Sequence, residues 1–228
     1  MSNKIYPPVS SVRLTTWNFS ALKGKELPEP DKKNDGHIGN FIDNYLKEQM
    51  NIHNTNAPVD LASLGIEVKS KKIDTGSSWS IGTMTVNDII NTSYVDSKIY
   101  KKLQALLLVT TDIDFRIVKE VELHYFDNDE IQSLLDKSYE KAREEIRKHV
   151  LQNVTTACEL GKVSGKVDLT SLSNLSTDGI KWSRFKGKYG YFEYRPKEGN
   201  LVFRLTKTQL KNLICISQFL KNENFELL

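Results

Sequence analysis

Segment 103–109 constrains the fold more than any other part of this 228-residue chain. Residues 105–109 within it read Ala-Leu-Leu-Leu-Val, which is far shorter than the roughly 20 apolar residues that a membrane-spanning helix needs. A short apolar run of this kind is typical of a strand that is buried on both faces. Helices or other strands must then cover each side. The segment therefore predicts a central sheet in a mixed α/β domain.

Periodicity along the rest of the chain supplies elements for such a sheet. Apolar residues recur at helical spacing from Ile38 to Leu46, and again from Ile131 to Val150 after an Asp-Asn-Asp cap at 127–129. We further predict a short helix at 88–100, a C-terminal helix at about 210–220, and strands at 66–70, 79–86, 115–125, 165–169, 190–194 and 201–205. The predicted fold is a mixed central sheet flanked by helices.

Shifts in composition divide the chain into three parts of one domain. Residues 1–34 carry several prolines and predict an irregular N-terminal arm, after which we expect the ordered core to begin. Residues 35–152 form the predicted core. Residues 153–228 open with a stretch rich in Ser, Thr, Gly, Asn and Lys, which predicts a long loop and a second arm packed on the core.

Charge and cysteine content exclude some classes of function without choosing one. The formal net charge of +3 is too small to indicate a polyanion partner by itself. Two widely separated cysteines, Cys158 and Cys215, lack the close Cys and His spacing of a zinc site. The polar N-terminus lacks the apolar segment of a signal peptide, and no run is long enough to enter a membrane, so we expect a cytoplasmic protein.

The most informative pattern runs from Asp60 to Lys69. Side chains alternate across a strand, so Glu67 and Lys69 share one face while Val68 faces the core. Gly65 allows a sharp turn that would bring Asp60 beside Glu67, and two carboxylates in contact can hold Mg²⁺. The spacing alone is weakly specific, and a solvent-facing, salt-bridged strand is the alternative interpretation.

An acid on the preceding helix extends the pattern into a family resemblance. Asp43 follows Ile42 in a Gly-x-x-Gly-x-x-Ile-Asp segment that starts at Gly36. Together with Asp-x(6)-Glu-x-Lys, this order resembles the MutH family of PD-(D/E)xK DNA endonucleases, which includes a mismatch-repair nicking enzyme and type II restriction endonucleases. The family typically has Glu at the helix position, where Asp43 is one methylene shorter.

The resemblance implies a restriction-endonuclease-like core whose two arms form a DNA cleft. It implies that Asp60 and Glu67 bind Mg²⁺ with the Val68 carbonyl, that Lys69 serves the reaction, and that Asp43 contributes from its helix. In the family another lysine opens a helix ahead of the next buried strand, and Lys98 matches that position.

Downstream residues carry the implied DNA contacts. The segment Arg195-Pro196-Lys197 resembles the DNA-reading loop of the family, and 203–207 resembles its C-terminal strand and helix. Basic residues interleaved with aromatic ones at 181–189 are typical of phosphate or base contacts, although a solvated basic loop has the same composition. The implied DNA-binding residues are Arg184, Lys186, Lys188, Arg195, Lys197, Arg204 and Lys207, and the loop adds Lys162, Lys166 and Lys181.

The resulting hypothesis is a Mg²⁺-dependent, site-specific endonuclease of the type II restriction kind that acts on double-stranded DNA and leaves 5′-phosphates. It would act as a monomer or a homodimer on DNA, with a cognate DNA methyltransferase as a possible partner in the same system. Two alternatives stay open: a strand-nicking enzyme of mismatch repair with the same fold, and a catalytically inactive DNA-binding module.

Overall fold

The computed structural model of the protein describes residues 18–29, 37–52, 58–73, 78–114, 116–159, 184–195 and 200–225. Within these ranges the chain is a mixed α/β structure with two sheets flanked by helices. The helices are α1 (His37–Gln49), α2 (Val86–Asn91), α3 (Lys98–Lys102), α4 (Asp129–Glu159) and α5 (Lys207–Phe225). The strands are β1 (Glu67–Lys72), β2 (Ser78–Thr85), β3 (Ala105–Thr111), β4 (Val118–Tyr125), β5 (Phe185–Gly187), β6 (Gly190–Arg195) and β7 (Asn200–Thr206).

The first sheet has the order β1-β3-β4, with the apolar run 105–109 in its central strand. Strand β3 runs parallel to β1 and antiparallel to β4. Leu107 and Val109 join a core cluster with α1, whereas Leu106 and Leu108 join the larger core cluster on the opposite face. The prediction of a strand that is buried on both faces is confirmed.

The second sheet is antiparallel, in the order β2-β7-β6-β5. The prediction of one central sheet is wrong at β2, because this strand pairs with β7 and not with its neighbour in sequence, β1. Alternating burial along β2 agrees with a strand covered on one face, but such a pattern leaves the partner strand undetermined. Helix α4 packs on this sheet through a buried stripe that includes Ile131, Leu135 and Tyr139.

Part of the predicted N-terminal arm belongs to the core. Residues 18–29 contain a 3₁₀ helix (Phe19–Leu22), and Phe19, Leu22 and Leu27 are buried beside β3 and β4. The Gly24 amide donates to the Val118 carbonyl oxygen at 2.8 Å, and the Val118 amide donates to the Lys25 carbonyl oxygen at 3.0 Å. The expectation that the ordered core begins after residue 34 is therefore wrong for this segment, which supplies apolar side chains and strand-like hydrogen bonds.

The helix predicted at 88–100 is two short helices. Thr85 and Asp88 form a reciprocal capping box that starts α2, and the Ser97 hydroxyl accepts from the Tyr100 amide to start α3. The side chain of Tyr94, between the two helices, is fully buried. Two separate N-caps therefore divide a region whose apolar spacing resembles one helix.

The strand predicted at 165–169 lies outside the described residues. Among the helices that the structure describes, none is both long enough and apolar enough to span a bilayer.

Candidate active site

The turn before β1 brings Asp60 to the edge of the first sheet. Leu61 and Ile66 exchange backbone hydrogen bonds around a 3₁₀ helix (Ala62–Leu64), and Gly65 ends that helix with φ of 67° and ψ of 25°. The Asp60 Oδ2 then accepts from the Val68 amide at 2.9 Å. The structure therefore confirms that Gly65 allows the sharp turn between Asp60 and β1.

We expect Gly65→Ala to lower the free energy of unfolding by about 1–2 kcal/mol, because a Cβ is disfavoured in the left-handed region. Gly65→Asn is the matched control, since asparagine tolerates this conformation better. Urea unfolding of both variants measures the difference. Equal stability of wild-type protein and Gly65→Ala would contradict a turn that requires glycine.

Glu67 lies at the floor of the site between two lysines. Its side chain is 0% exposed, and its Oε1 lies 2.5 Å from the Nζ of both Lys69 and Lys102. Its Oε2 is buried and has no hydrogen-bond partner. The carboxylate is thus held through one oxygen only.

Lys102 is a site residue that sequence reasoning missed. The predicted second lysine, Lys98, is exposed at the start of α3 and forms no ion pair with a described residue, whereas Lys102 lies one helical turn later and contacts Glu67. Gly82 on β2 makes room for it, since a Cβ there would lie 3.2 Å from Lys102 Cδ and 2.9 Å from Ile99 Cδ1. The sequence shows that lysines recur on one side of the helix, but not which turn approaches β1.

Asp43 reaches the same region from α1, whose Ile38, Ile42 and Leu46 are buried. Its Oδ2 lies 2.5 Å from Lys47 Nζ, and its Oδ1 is buried without a hydrogen-bond partner. Burial raises the pKa of Asp43 above its ordinary value. The hydrogen bond from Lys47 lowers that pKa, the charge of Asp60 raises it, and the charge of Lys69 lowers it. Asp43 therefore lies within the electrostatic reach of both Asp60 and Lys69.

Asp60 also connects Asp43 to Glu67. Burial raises the pKa of Glu67 above its ordinary value, Lys69 lowers it, and Asp60 raises it again. One carboxylate thus acts on the pKa of two others, so the three acids form one interacting group, which we call the carboxylate cluster (Asp43, Asp60 and Glu67). Mutual repulsion between acids is relieved by a bound cation.

The carboxylate cluster offers oxygen donors of the kind that a divalent metal ion binds. Two buried carboxylate oxygens, Asp43 Oδ1 and Glu67 Oε2, lack a hydrogen-bond partner, and such oxygens are the ligands that Mg²⁺ prefers. The Val68 amide points toward Asp60. Because the amide and carbonyl of one strand residue share a strand edge, the Val68 carbonyl faces the same side.

The arrangement of the acidic side chains limits how many of them could bind one metal ion. Within the described ranges, no group of three or more His, Cys, Asp and Glu side chains is arranged to hold a metal ion. Mg²⁺ usually takes one or two carboxylates and completes its shell with water and substrate phosphate. A site of two carboxylates and a carbonyl, as the sequence predicts, is compatible with this finding.

The predicted DNA-binding residues lie on the second sheet and beside it. Arg184 precedes β5, with its guanidinium 5.5 Å from the centroid of the Tyr191 ring. Lys186 is exposed on β5, and Lys188 lies in the next turn with its Nζ 5.3 Å from the Tyr189 ring centroid. These three cations lie along β5, which is an edge strand of the second sheet. Asp60 and Glu67 lie instead at the β1 edge of the first sheet.

The remaining members of the set differ in their surroundings. Arg195 ends β6 and is half-buried, and Lys207 is exposed at the start of α5. Arg204 on β7 pairs with Glu193, with 2.6 Å between its Nε and the Glu193 Oε2. Its Nη1 donates to Ser78 Oγ on β2 at 3.4 Å, so part of the guanidinium is used within the sheet. Lys197, and with it Lys162, Lys166 and Lys181, lies outside the described residues.

Comparison of the sequence with protein-family models and with curated proteins finds no match. The resemblance to MutH-like nucleases therefore depends on the residues of this chain alone.

Proposed function

We propose that this protein is a Mg²⁺-dependent, site-specific endonuclease that hydrolyses both strands of DNA, of the type II restriction kind. The observation that supports this most is the meeting of Asp60, Glu67 and Lys69 at the start of β1, with Asp43 added from α1. A lysine paired with one acid and a second acid close by supply the groups that metal-assisted phosphodiester hydrolysis can use.

Each residue has a distinct role in the proposed reaction. Asp60 and Glu67 would hold Mg²⁺ with the Val68 carbonyl, and a bound Mg²⁺ polarises the scissile phosphate and acidifies water. Lys69 is 22% exposed, so its ammonium can turn from Glu67 toward a phosphate oxygen or the attacking water. Water attacks phosphorus, the bond to the 3′ oxygen breaks, and a 5′-phosphate remains.

The fold is compatible with a restriction-endonuclease-like core. The strand with Glu67 and Lys69 lies at an edge of a sheet, and α1 covers one face of that sheet. An edge strand is open to a substrate on the side that has no neighbouring strand. The two DNA-gripping arms that the resemblance implies, with the segment 153–228 as the DNA-reading arm, belong to the proposal.

One observation favours the inactive DNA-binding module as a second candidate. Glu67 is fully buried and paired with two lysines, so its negative charge is compensated without a metal ion. In that case the cluster would be structural, and the cations of the second sheet would bind DNA without cleavage.

Cleavage of supercoiled plasmid and phage DNA, with Mg²⁺ or with a chelator, separates these functions. The proposal predicts discrete linear fragments with Mg²⁺ alone and ligatable 5′-phosphate ends. Nicked circles that accumulate only slowly would indicate the mismatch-repair type of enzyme. DNA binding without cleavage, in Mg²⁺ and in Mn²⁺, would contradict the nuclease and support the inactive module. DNA from strains with different methylation would show whether a methyltransferase protects the site.

A further inference from the structure

A groove separates the face of the first sheet from α5. It has a volume of about 430 Å³, within the range of small-molecule sites. Leu108 and Leu210 contribute apolar surface, and lysines and glutamates line other parts of the wall. The groove is therefore large enough for an organic molecule and carries both signs of charge.

Three lysines line this groove: Lys71 from β1, and Lys207 and Lys211 from successive turns of α5. Lys71 is half-buried with its Nζ 4.2 Å from the centroid of the Trp79 ring. Among the described residues, none of the three lysines forms an ion pair with an acid. Their positive charge is left for a ligand or for solvent.

Lys207 acts on Lys71 across the groove. Burial lowers the pKa of Lys71, and the nearby charge of Lys207 lowers it further. Converging cations that lack an acidic partner cost free energy, and a bound anion removes that cost. Phosphate suits such a site because a dianion with several oxygens can accept a hydrogen bond from each ammonium group.

Two glutamates distinguish this groove from a simple basic surface. Glu120 and Glu122 line it from β4, which lies two strands away from β1. Glu122 pairs with His124 at 2.9 Å between Oε2 and Nε2, and Glu120 forms no ion pair within the described residues. Carboxylates accept hydrogen bonds from hydroxyl or amino groups. The groove is thus complementary to a small molecule with an anionic end and a hydrogen-bond-donating end.

We propose that the groove binds a phosphate monoester of a nucleoside, with the phosphate among Lys71, Lys207 and Lys211 and with donors of the sugar or base toward Glu120 and Glu122. The carboxylate cluster supplies none of these residues, so this inference is independent of the proposed nuclease reaction. The phosphate can come from a free mononucleotide or from the end of a DNA strand, and both present the same chemistry.

Calorimetric titration of the whole 228-residue chain with adenosine monophosphate and with cytidine monophosphate tests the proposal. We expect one saturable site per chain and about a tenfold or greater loss of affinity in each of Lys71→Met and Lys211→Met, since each variant loses a charge-assisted hydrogen bond. Lys71→Arg should retain binding because it retains the charge. Lys119→Met, an exposed lysine on β4 that does not line the groove, should bind as the wild type does.

Titrations with other ligands test which part of the nucleotide the lysines bind and which part the glutamates bind. Glu120→Gln should weaken mononucleotide binding but not the weaker binding of inorganic phosphate. Displacement of the mononucleotide by a short duplex with 5′-phosphates, but not by the same duplex with 5′-hydroxyls, would assign the phosphate to a DNA end. Failure of that displacement would assign it to a free nucleotide.

Absence of saturable mononucleotide binding by the wild type would overturn the proposal. Equal affinity of wild type, Lys71→Met and Lys211→Met, with circular dichroism showing that all three are folded, would overturn it as well. This titration does not depend on DNA cleavage. The cleavage assay tests the proposed nuclease function, and the titration tests the groove, so the failure of one is distinguishable from the failure of the other.

Discussion

Asp60→Asn is expected to lower the rate of Mg²⁺-dependent DNA cleavage by about a thousandfold or more. In the proposed reaction Asp60 holds Mg²⁺, and the loss of that ligand would remove several kcal/mol of stabilisation from the transition state. Each 1.4 kcal/mol corresponds to about a factor of ten in rate. Asparagine keeps an oxygen that can accept from the Val68 amide, so the turn before β1 retains its hydrogen bond. The variant therefore separates the chemistry of Asp60 from its structural role.

Asp114→Asn is the matched control, because Asp114 is an exposed aspartate in the turn between β3 and β4. Cleavage rates on one DNA substrate, at saturating Mg²⁺, compare the two variants with the wild type. A folded Asp60→Asn protein that cleaves as fast as Asp114→Asn would remove Asp60 from the proposed mechanism.

Lys102→Met is expected to lower the free energy of unfolding by about 3 kcal/mol. Removing one partner of a buried ion pair leaves a charge with insufficient compensation, and Glu67 is fully buried. Lys69 still contacts the same Glu67 oxygen, which places the expected loss at the lower end of the range for such pairs. Methionine keeps much of the apolar stem of lysine, so the packing against Gly82 is largely preserved.

Lys101→Met provides the control for Lys102, since Lys101 is exposed on the same helix. Urea unfolding of both variants, and of Lys102→Met combined with Glu67→Gln, isolates the pair. The combined variant should lose less stability than the sum of the two single changes, because each single change already breaks the same interaction. Additive losses, or equal stability of the two lysine variants, would show that Lys102 does not stabilise Glu67.

The sequence predicts the local part of the candidate site well. The distance from Asp60 to Glu67 along the chain is short, and one glycine and one strand fix the geometry between them. Side-chain alternation then places Glu67 and Lys69 on one face, where the structure finds them in contact. Such predictions succeed because they depend on backbone geometry within about ten residues.

Long-range features of the structure are not predictable in this way. Lys102 meets Glu67 only because α3 packs over β2 at Gly82, and no periodicity in the sequence contains that contact. The pairing of β2 with β7 joins segments more than a hundred residues apart. Strand alternation determines which face is buried but not which strand is the neighbour. The sequence therefore predicts a single sheet where the described residues form two.

The groove beside α5 also depends on contacts between segments that are distant in sequence. Lys71 lies on β1 and Lys207 at the start of α5, and only the tertiary fold brings their charges together. The sequence singled out Lys207 as a DNA-binding residue through a family resemblance. The structure adds Lys71 and Lys211 as its neighbours, which turns one cation into a candidate phosphate site.

Calorimetric titration of the wild type and Asp60→Asn with Mg²⁺, in the presence of uncleavable duplex DNA, tests the central claim most directly. We predict one divalent cation bound per chain in the wild type and at least a tenfold weaker binding in the folded variant, since metal ligands and their supports typically contribute this much. Equal binding of Mg²⁺ by the two proteins, or no binding by the wild type, would contradict a metal site at Asp60 and Glu67.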